Sequence, residues 1–224
     1  MDSAGRRGSA WAELSLLLTA FFFGTNFVAV KHVVEEVPPV LFAAARFTAA
    51  GLLLWAVLRL FEPASRLKRA DLPPVAGLGL LGITATQTVF TIGVHHTTAA
   101  NTAVIYSTAP VWGMLLGFAL GLERPRLSGV AGVAMCLAGV AAIEGGGLRL
   151  AGTSLLGDAL ILLAAVFWGS YTVLSLPLLR RYTPLAVAAY PMLLGGLAAF
   201  PLAALDLRVE PSALGGSVWF AALY

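Results

Sequence analysis

Two stretches of the chain resemble each other at an offset of 145 residues, and their short polar hinges carry opposite charges. The stretches are residues 12–55 and 157–200, and each is a pair of long apolar runs joined by one hinge. The first hinge contains Glu35-Glu36 and the second contains Arg180-Arg181. Other aligned pairs are Phe23 and Trp168, Gly24 and Gly169, Pro39 and Pro184, Gly51 and Gly196, and Glu13 and Asp158.

The hinge charges predict that the two copies cross a membrane in opposite directions. Basic residues accumulate in cytoplasmic loops, whereas acidic residues contribute little to orientation. Inverted repeats of this kind are typical of secondary transporters, whose substrate site lies between the repeats near the bilayer midplane.

The composition is that of an integral membrane protein. Only 11% of the residues are charged, against about 25% in a soluble domain, and the mean hydropathy is +0.88. The single cysteine, Cys136, lies in an apolar run, and no further ligands accompany His95 and His96, so we predict no disulfide, metal site or cofactor. The basic residues lie in short loops rather than in a patch, which argues against nucleic acid as a partner.

Seven apolar runs are long enough to approach the roughly 20 residues that a membrane span needs. They cover residues 12–34, 39–60, 72–94, 98–120, 127–144, 155–178 and 184–205, and an eighth run begins around Leu214. The first run continues past Phe27, which is longer than the apolar core of a signal peptide, so we interpret it as a span.

The basic residues alternate between the two sides of this map. Ten of them fall in segments on the side of the N-terminus and three on the other side, which predicts a cytoplasmic N-terminus in the plasma membrane. The ten are Arg6, Arg7, Arg59, Arg66, Lys68, Arg69, Arg124, Arg126, Arg180 and Arg181, and the three are Lys31, Arg149 and Arg208.

Two glycine patterns are interpreted as helix packing. The segment 77–82 matches the GxGxxG pattern of dinucleotide-binding folds, but it opens an apolar span instead of linking a strand to a helix. Gly113, Gly117 and Gly121 repeat at intervals of four and share one helix face. Such faces allow close helix approach within one protomer, and they leave open a homodimer.

Arg46 is the remaining basic residue, and it lies inside the second span. It follows Pro39 by seven residues, or roughly 10 Å along a helix. An arginine at a helix centre costs about 2.5–3.5 kcal/mol on insertion scales and normally faces the protein interior or a wet cavity. We predict that it binds an anionic or carboxylate group of a substrate. The alternatives are a structural pair with a protein group and snorkelling to the interface.

Uncharged polar and aromatic residues at membrane depth extend this candidate substrate site. Each alone is commonly an interhelical contact, but together they are typical of a cavity lining. They are Asn26, Gln87, Asn101, Tyr106, Trp168, Tyr171 and Tyr190. Glu13, in the opening turns of the first span, is a weaker candidate for proton coupling, and helix capping explains it more simply.

Seven short stretches follow one another in a characteristic order and spacing along the chain. They are Phe23-Gly24-Thr25-Asn26-Phe27, Pro38-Pro39, Ala45-Arg46-Phe47, His96-Thr97-Thr98-Ala99-Ala100, Ala109-Pro110-Val111, Gly121-Leu122-Glu123-Arg124 and Phe167-Trp168-Gly169-Ser170-Tyr171. In this order and spacing they resemble the EamA-type transporters of the drug/metabolite transporter superfamily, over essentially the whole chain.

The resemblance implies an all-α transmembrane bundle of two inverted five-helix repeats that moves small metabolites or drugs by alternating access. We expect the first repeat over residues 12–144 and an incomplete second repeat over 155–224, the latter as a fragment or a shortened product. The expected partners are a small-molecule substrate and the lipid bilayer, and no enzymatic activity is expected. The alternatives are a small-multidrug-type proton-coupled exporter and a non-transporting membrane enzyme or assembly subunit.

Overall fold

A computed structural model describes residues 3–122, 127–145 and 155–206, and within these ranges the chain is helical and contains no strand. The all-α prediction is therefore confirmed. The helices are α1 (Ser3–Val34), α2 (Pro39–Phe61), α3 (Leu72–Gly79), α4 (Thr86–His96), α5 (Ala99–Tyr106), α6 (Ala109–Ala119), α7 (Leu127–Gly145), α8 (Leu155–Leu179) and α9 (Pro184–Ala203).

Six helical segments are long and apolar enough to cross a membrane, which makes this a multi-pass membrane protein. Helix α7 is 19 residues long and lies where the fifth span was expected, although it is not among these six. The expected eighth run lies outside the described residues. The six segments are Glu13–Val34, Pro39–Phe61, Arg69–His96, Ala99–Ala119, Leu155–Leu179 and Pro184–Ala203.

The third and fourth spans are each interrupted, which the sequence analysis did not predict. A π-helical segment, Leu80–Ala85, joins α3 to α4, and the Thr86 hydroxyl donates a hydrogen bond to the Leu81 carbonyl at 2.7 Å. The fourth span breaks at Ser107 and Thr108, between α5 and α6. Pro110 lies in the first turn of α6 and has no N–H to continue the α5 hydrogen-bond ladder, so it favours this break.

Helices α2 and α9 cross at two glycine contacts that are counterparts of each other in the internal repeat. A Cβ atom on Gly51 would lie 2.6 Å from the backbone N and Cα of Leu193, and one on Gly196 would lie 2.6 Å from the backbone N of Thr48. Thr48 and Leu193 are 145 residues apart, as are Gly51 and Gly196. The crossing is therefore self-complementary, as at an interface with two-fold symmetry.

The two charged hinges lie at opposite ends of α2. The Glu35-Glu36 turn leads directly into α2, whereas Arg181 donates a 2.8 Å hydrogen bond to Asp71, beyond the far end of α2. The two hinges are therefore separated by roughly the length of α2, about 35 Å at 1.5 Å per residue. Since each hinge is the turn of one helical hairpin, the two hairpins run in opposite directions. We call the end that carries Glu35 and Glu36 the acidic end, and the end that carries Arg180 and Arg181 the basic end.

Helix α8 crosses the first repeat and closes one side of the bundle. A Cβ atom on Gly169 would lie 2.5 Å from the Ala109 carbonyl oxygen and 2.6 Å from the Gly113 N, so α8 and α6 touch through their backbones. Gly24, the counterpart of Gly169 in α1, has no atom within 4 Å of its Cβ position among the described residues. The α1 face beside it is correspondingly exposed, and Phe21, Phe22 and Phe23 are 50–62% accessible.

Candidate functional site

A cavity of about 460 Å³ that contains predicted site residues lies between α1, α2 and α4, and Tyr106 of α5 and Trp168 of α8 complete its lining. That volume is within the usual range of small-molecule sites, about 300–1,000 Å³. We call it the central cavity. It is lined by Leu18, Thr19, Phe22, Phe23, Asn26, Phe27, Val30, Phe42, Ala43, Arg46, Phe47, Gln87, Phe90, Thr91, Tyr106 and Trp168.

Arg46 supplies the only charged side chain among these lining residues. Its Nη2 donates a hydrogen bond to the Asn26 Oδ1 at 2.6 Å, which ties α2 to α1. The guanidinium carbon lies 5.7 Å from the Phe42 ring centroid and 6.0 Å from that of Phe47, within reach of a cation–π attraction. No described acidic group forms an ion pair with Arg46. Its positive charge is therefore oriented by neutral neighbours and is not neutralised by them.

Aromatic rings form much of the cavity lining around Arg46. Tyr106 packs edge-on against Phe90, with 5.1 Å between ring centroids, and against Phe27 at 6.1 Å. Tyr106, Phe23 and Trp168 also line an adjoining cavity of about 440 Å³ between α6 and α8. A ligand in the central cavity would consequently meet one cation within a largely apolar and aromatic surface.

Five of the eight predicted substrate-binding residues lie together in the central cavity. They are Arg46, Asn26, Gln87, Tyr106 and Trp168. The hydroxyl of Thr91 donates to the backbone carbonyl of Gln87. These five assignments stay predictions, but the residues come from five helices and line one cavity.

The other three predicted residues lie outside this lining. Asn101 is buried and donates to the Asp158 carboxylate at 2.5 Å, which joins α5 to α8. The ring of Tyr171 covers Gly82 in the π-helical segment. Tyr190 lies near the basic end, where its hydroxyl donates to the Ser65 carbonyl at 3.4 Å.

Glu13, the candidate for proton coupling, does not line the central cavity either. It is exposed and lies more than one helical turn before Leu18, the first α1 residue of the lining. Asp158, its counterpart in the second repeat, accepts hydrogen bonds from Asn101 and from the Thr97 hydroxyl at 2.8 Å. Asp158 thus anchors α8 to the turn before α5, in addition to occupying the first turn of its helix.

Most of the aromatic lining was missed by the sequence analysis, although helical spacing could have identified it. Phe22, Phe23 and Val30 lie four before, three before and four after Asn26, on the same helix face. The same spacing relates Phe90 and Thr91 to Gln87. The polar residues therefore indicate the lining face of each helix, and the neighbours on that face follow from the 3.6-residue period.

A polar network ties the α2–α3 loop to the α8–α9 turn at the basic end. We call it the basic-end tie. Asp71 accepts hydrogen bonds from Arg181 at 2.8 Å and from the Tyr182 hydroxyl at 2.7 Å. Glu62 accepts a hydrogen bond from the Thr183 hydroxyl. The hydrogen bond to Asp71 raises the pKa of Tyr182, so this hydroxyl remains a donor at neutral pH. The tie joins the two repeats roughly 24 Å along α2 from Arg46.

Different contacts hold the acidic end. The Lys31 ammonium donates to the carbonyl oxygens of Val94 and His95 at 3.1 and 3.0 Å, and it lies 3.4 Å from a Glu35 oxygen. The His95 Nδ1 lies 2.8 Å from the Val34 carbonyl oxygen. These contacts join α1 to α4 within the first repeat. The second repeat also reaches this end, because Asp158 of α8 accepts hydrogen bonds from Thr97 and Asn101.

Comparison with known proteins identifies transporters among the relatives. An uncharacterized transporter of Archaeoglobus fulgidus is 28% identical over 208 residues, which cover 93% of this chain and 71% of that protein. A probable terminal-alkyne amino-acid exporter of Streptantibioticus cattleyicolor is 30% identical over 230 residues, covering 94% and 75%. The uncharacterized inner membrane transporter YedA of Escherichia coli K12 is 29% identical over 161 residues, covering 69% and 49%.

The fold comparison agrees with the sequence comparison. A crystal structure superposes with a TM-score of 0.63 at 25% identity, covering 92% of this chain and 72% of that one. The model of the EamA-like transporter family matches residues 10–144 and 155–224. The chain is therefore a member of the EamA-like transporter family.

Proposed function

We propose that this membrane transporter is a secondary transporter of small, carboxylate-bearing amphiphilic metabolites and that the central cavity is its substrate site. The observation that carries the proposal is the position of Arg46, the one charged side chain in a lining that is otherwise aromatic, aliphatic or neutral. Such a cavity complements a molecule with an anionic head and an apolar body.

The chemistry of arginine favours a carboxylate as the anionic group. Its planar guanidinium presents five N–H donors in a fixed fork, which matches the two oxygens of a carboxylate. The Asn26 oxygen accepts one hydrogen bond from Nη2 and so orients the guanidinium, which leaves the other N–H donors for a ligand. The relative from Streptantibioticus cattleyicolor is named a probable amino-acid exporter. Amino acids with apolar side chains are accordingly the first substrate group to test.

The loop charges support an orientation for this site. The basic end carries Arg59, Arg66, Lys68 and the Arg180-Arg181 hinge, and the positive-inside rule places such an end in the cytoplasm. The central cavity would then lie in the outer half of the membrane, because Arg46 is about two helical turns from the acidic end. The basic-end tie would close the cytoplasmic side.

Alternating access then requires the basic-end tie to break. The α2–α9 crossing joins the repeats through close backbone contacts at Gly51 and Gly196. We propose this crossing as the pivot about which the repeats rock, with the tie from Asp71 to Arg181 and Tyr182 as the cytoplasmic gate. Rocking of inverted repeats around a fixed site is the usual mechanism of such transporters.

Transport of matched compounds in proteoliposomes tests the substrate class. Radiolabelled L-phenylalanine and phenethylamine share an aromatic body, but only the first has a carboxylate. We expect uptake or efflux of hydrophobic amino acids or related carboxylates above that of protein-free vesicles, and none of the matched amines. Transport of the amines alone would contradict a carboxylate site.

The same vesicles separate the proposal from its alternatives. A small-multidrug-type exporter that uses Glu13 would lose proton-driven efflux in Glu13→Gln and would accept cationic drugs. The exposed position of Glu13 outside the central cavity favours the carboxylate transporter instead. A membrane enzyme or assembly subunit would move none of the compounds.

A further inference from the structure

A second pocket, of about 400 Å³, opens toward the basic end between the last turns of α2, the middle of α9 and the start of α3. We call it the basic pocket. Its lining combines four cationic side chains with leucines and two aromatic rings, and it shares no residue with the central cavity. It is lined by Trp55, Arg59, Arg66, Leu67, Lys68, Arg69, Leu72, Tyr190, Leu193 and Leu194.

The part of the chain that the structure describes places no ion-pairing acid beside the four cations of the basic pocket. None of its lining residues is acidic, and no described residue forms an ion pair with any of its four cations. The nearest acids along the chain, Glu62 and Asp71, accept hydrogen bonds from the α8–α9 turn instead. The α2–α3 loop therefore presents its acids to the basic-end tie and its cations to the pocket.

The apolar floor gives the pocket a second chemical character. The guanidinium carbon of Arg59 lies 5.9 Å from the Trp55 ring centroid, so this cation rests on an aromatic face. Trp55, in the last two turns of α2, and Leu72, at the start of α3, are 40% and 47% exposed. Tryptophan and arginine at the end of a span are typical of the boundary between acyl chains and headgroups.

We propose that the basic pocket binds an anionic phospholipid of the cytoplasmic leaflet. The phosphate would lie among Arg59, Arg66, Lys68 and Arg69, and an acyl chain would lie along Leu72, Leu193 and Leu194. Basic pockets between spans on the cytoplasmic side bind acidic lipid headgroups in other membrane proteins. The proposal depends on the orientation given above but not on the substrate of the central cavity.

The position of the pocket connects lipid binding to the basic-end tie. The Lys68 N–H donates to the Tyr182 hydroxyl at 3.1 Å, and that hydroxyl donates to Asp71. Tyr190 lines the pocket and bonds to the loop at Ser65. A lipid that orders the loop would thus stabilise the closed cytoplasmic side.

Native mass spectrometry of the purified protein tests the proposal, with dioleoyl phosphatidylglycerol and dioleoyl phosphatidylcholine as probes. These lipids have the same acyl chains, so a preference reports the headgroup. We expect phosphatidylglycerol to bind at least tenfold more tightly. Each basic residue near an anionic partner contributes roughly fivefold, so Arg66→Gln with Lys68→Gln should weaken phosphatidylglycerol binding by about 25-fold.

Arg180→Gln is the matched control, because Arg180 is an exposed cation at the same end that does not line the pocket. It should change phosphatidylglycerol affinity less than twofold. Equal affinity for both lipids, or an equal loss in the control, would overturn the proposal. Full competition by inorganic phosphate at low millimolar concentration would instead indicate a free-anion site. If the Arg66→Gln, Lys68→Gln double variant does not fold, Arg59→Gln tests the contribution of the pocket cations in its place.

Discussion

The α2–α9 crossing makes a quantitative prediction for Gly51→Ala. The new Cβ would lie 2.6 Å from the backbone of Leu193, about 0.8 Å short of ordinary contact. The obstacle is backbone, which no rotamer change can move, so the helices must separate. Overpacking of this kind costs about 1–3 kcal/mol. The gain from replacing a helical glycine by alanine, about 0.5–1 kcal/mol, offsets only part of that cost.

Gly77→Ala is the control for the stability gained when a helical glycine is replaced by alanine. Gly77 is exposed in α3 and has no atom within 4 Å of its Cβ position among the described residues. It should gain the same 0.5–1 kcal/mol without the clash. The two variants should therefore differ by about 2 kcal/mol, or about 4–8 °C in Tm for a chain of this size. Thermal unfolding in detergent, followed by loss of the monodisperse chromatographic peak, measures the difference.

The repeat adds a second comparison. Gly196→Ala places its Cβ 2.6 Å from the Thr48 N. It should lower the Tm by nearly as much as Gly51→Ala, because the two glycines occupy equivalent positions in the two repeats. If Gly51→Ala melts at or above Gly77→Ala, the backbone contact at the crossing does not exist as described.

Three further predictions follow from the two ends of the bundle. Asp71→Asn should weaken the basic-end tie by about 1–2 kcal/mol, a low figure for a charged hydrogen bond because Arg181 is largely exposed. It should also increase labelling from the cytoplasm of a cysteine placed at Gln87, whereas the control Arg180→Gln should not. Asn101→Ala should lower stability by about 1–3 kcal/mol in thermal unfolding, since it removes one of the two side-chain donors described for Asp158 and leaves the Thr97 hydroxyl, and a variant as stable as the parent would exclude that role. In a Cys136→Ala background, an impermeant thiol reagent added outside intact cells should label a cysteine at Glu35 but not one at Arg181, and equal labelling of both would contradict the orientation.

The hinge charges and the 145-residue offset predicted the inverted arrangement, because both are visible in the sequence without knowledge of the packing. Glu35-Glu36 and Arg180-Arg181 lie at opposite ends of α2, as their charges imply. The π-helical segment and the break before Pro110 were not predicted. Apolar periodicity continues through both interruptions, and their geometry depends on packing against α8 and α9, as the contact of Tyr171 with Gly82 shows.

The candidate site was predicted in part for a similar reason. Hydropathy gives the depth of a polar residue in the membrane, but it does not give the face of the helix that meets the cavity. Asn101 and Gln87 are both polar residues in spans, yet one bonds to Asp158 and the other lines the central cavity. The difference arises from which helix packs beside each of them, and that information is tertiary.

The most direct test of the carboxylate site is the effect of Arg46 on the affinity for two matched ligands. The ligands are the best-transported carboxylate from the proteoliposome assay and its primary amide, and their Kd values are measured by isothermal titration with the parent protein, Arg46→Ala and Arg46→Lys. Hydrogen bonds to charged groups contribute about 1.5–3 kcal/mol. Arg46→Ala should therefore weaken carboxylate binding by roughly 10- to 150-fold and amide binding much less. Arg46→Lys should restore affinity only partly, since lysine lacks the planar fork. An equal effect on both ligands, or unchanged carboxylate affinity in folded Arg46→Ala protein, would contradict the assignment of Arg46 as the carboxylate-binding residue.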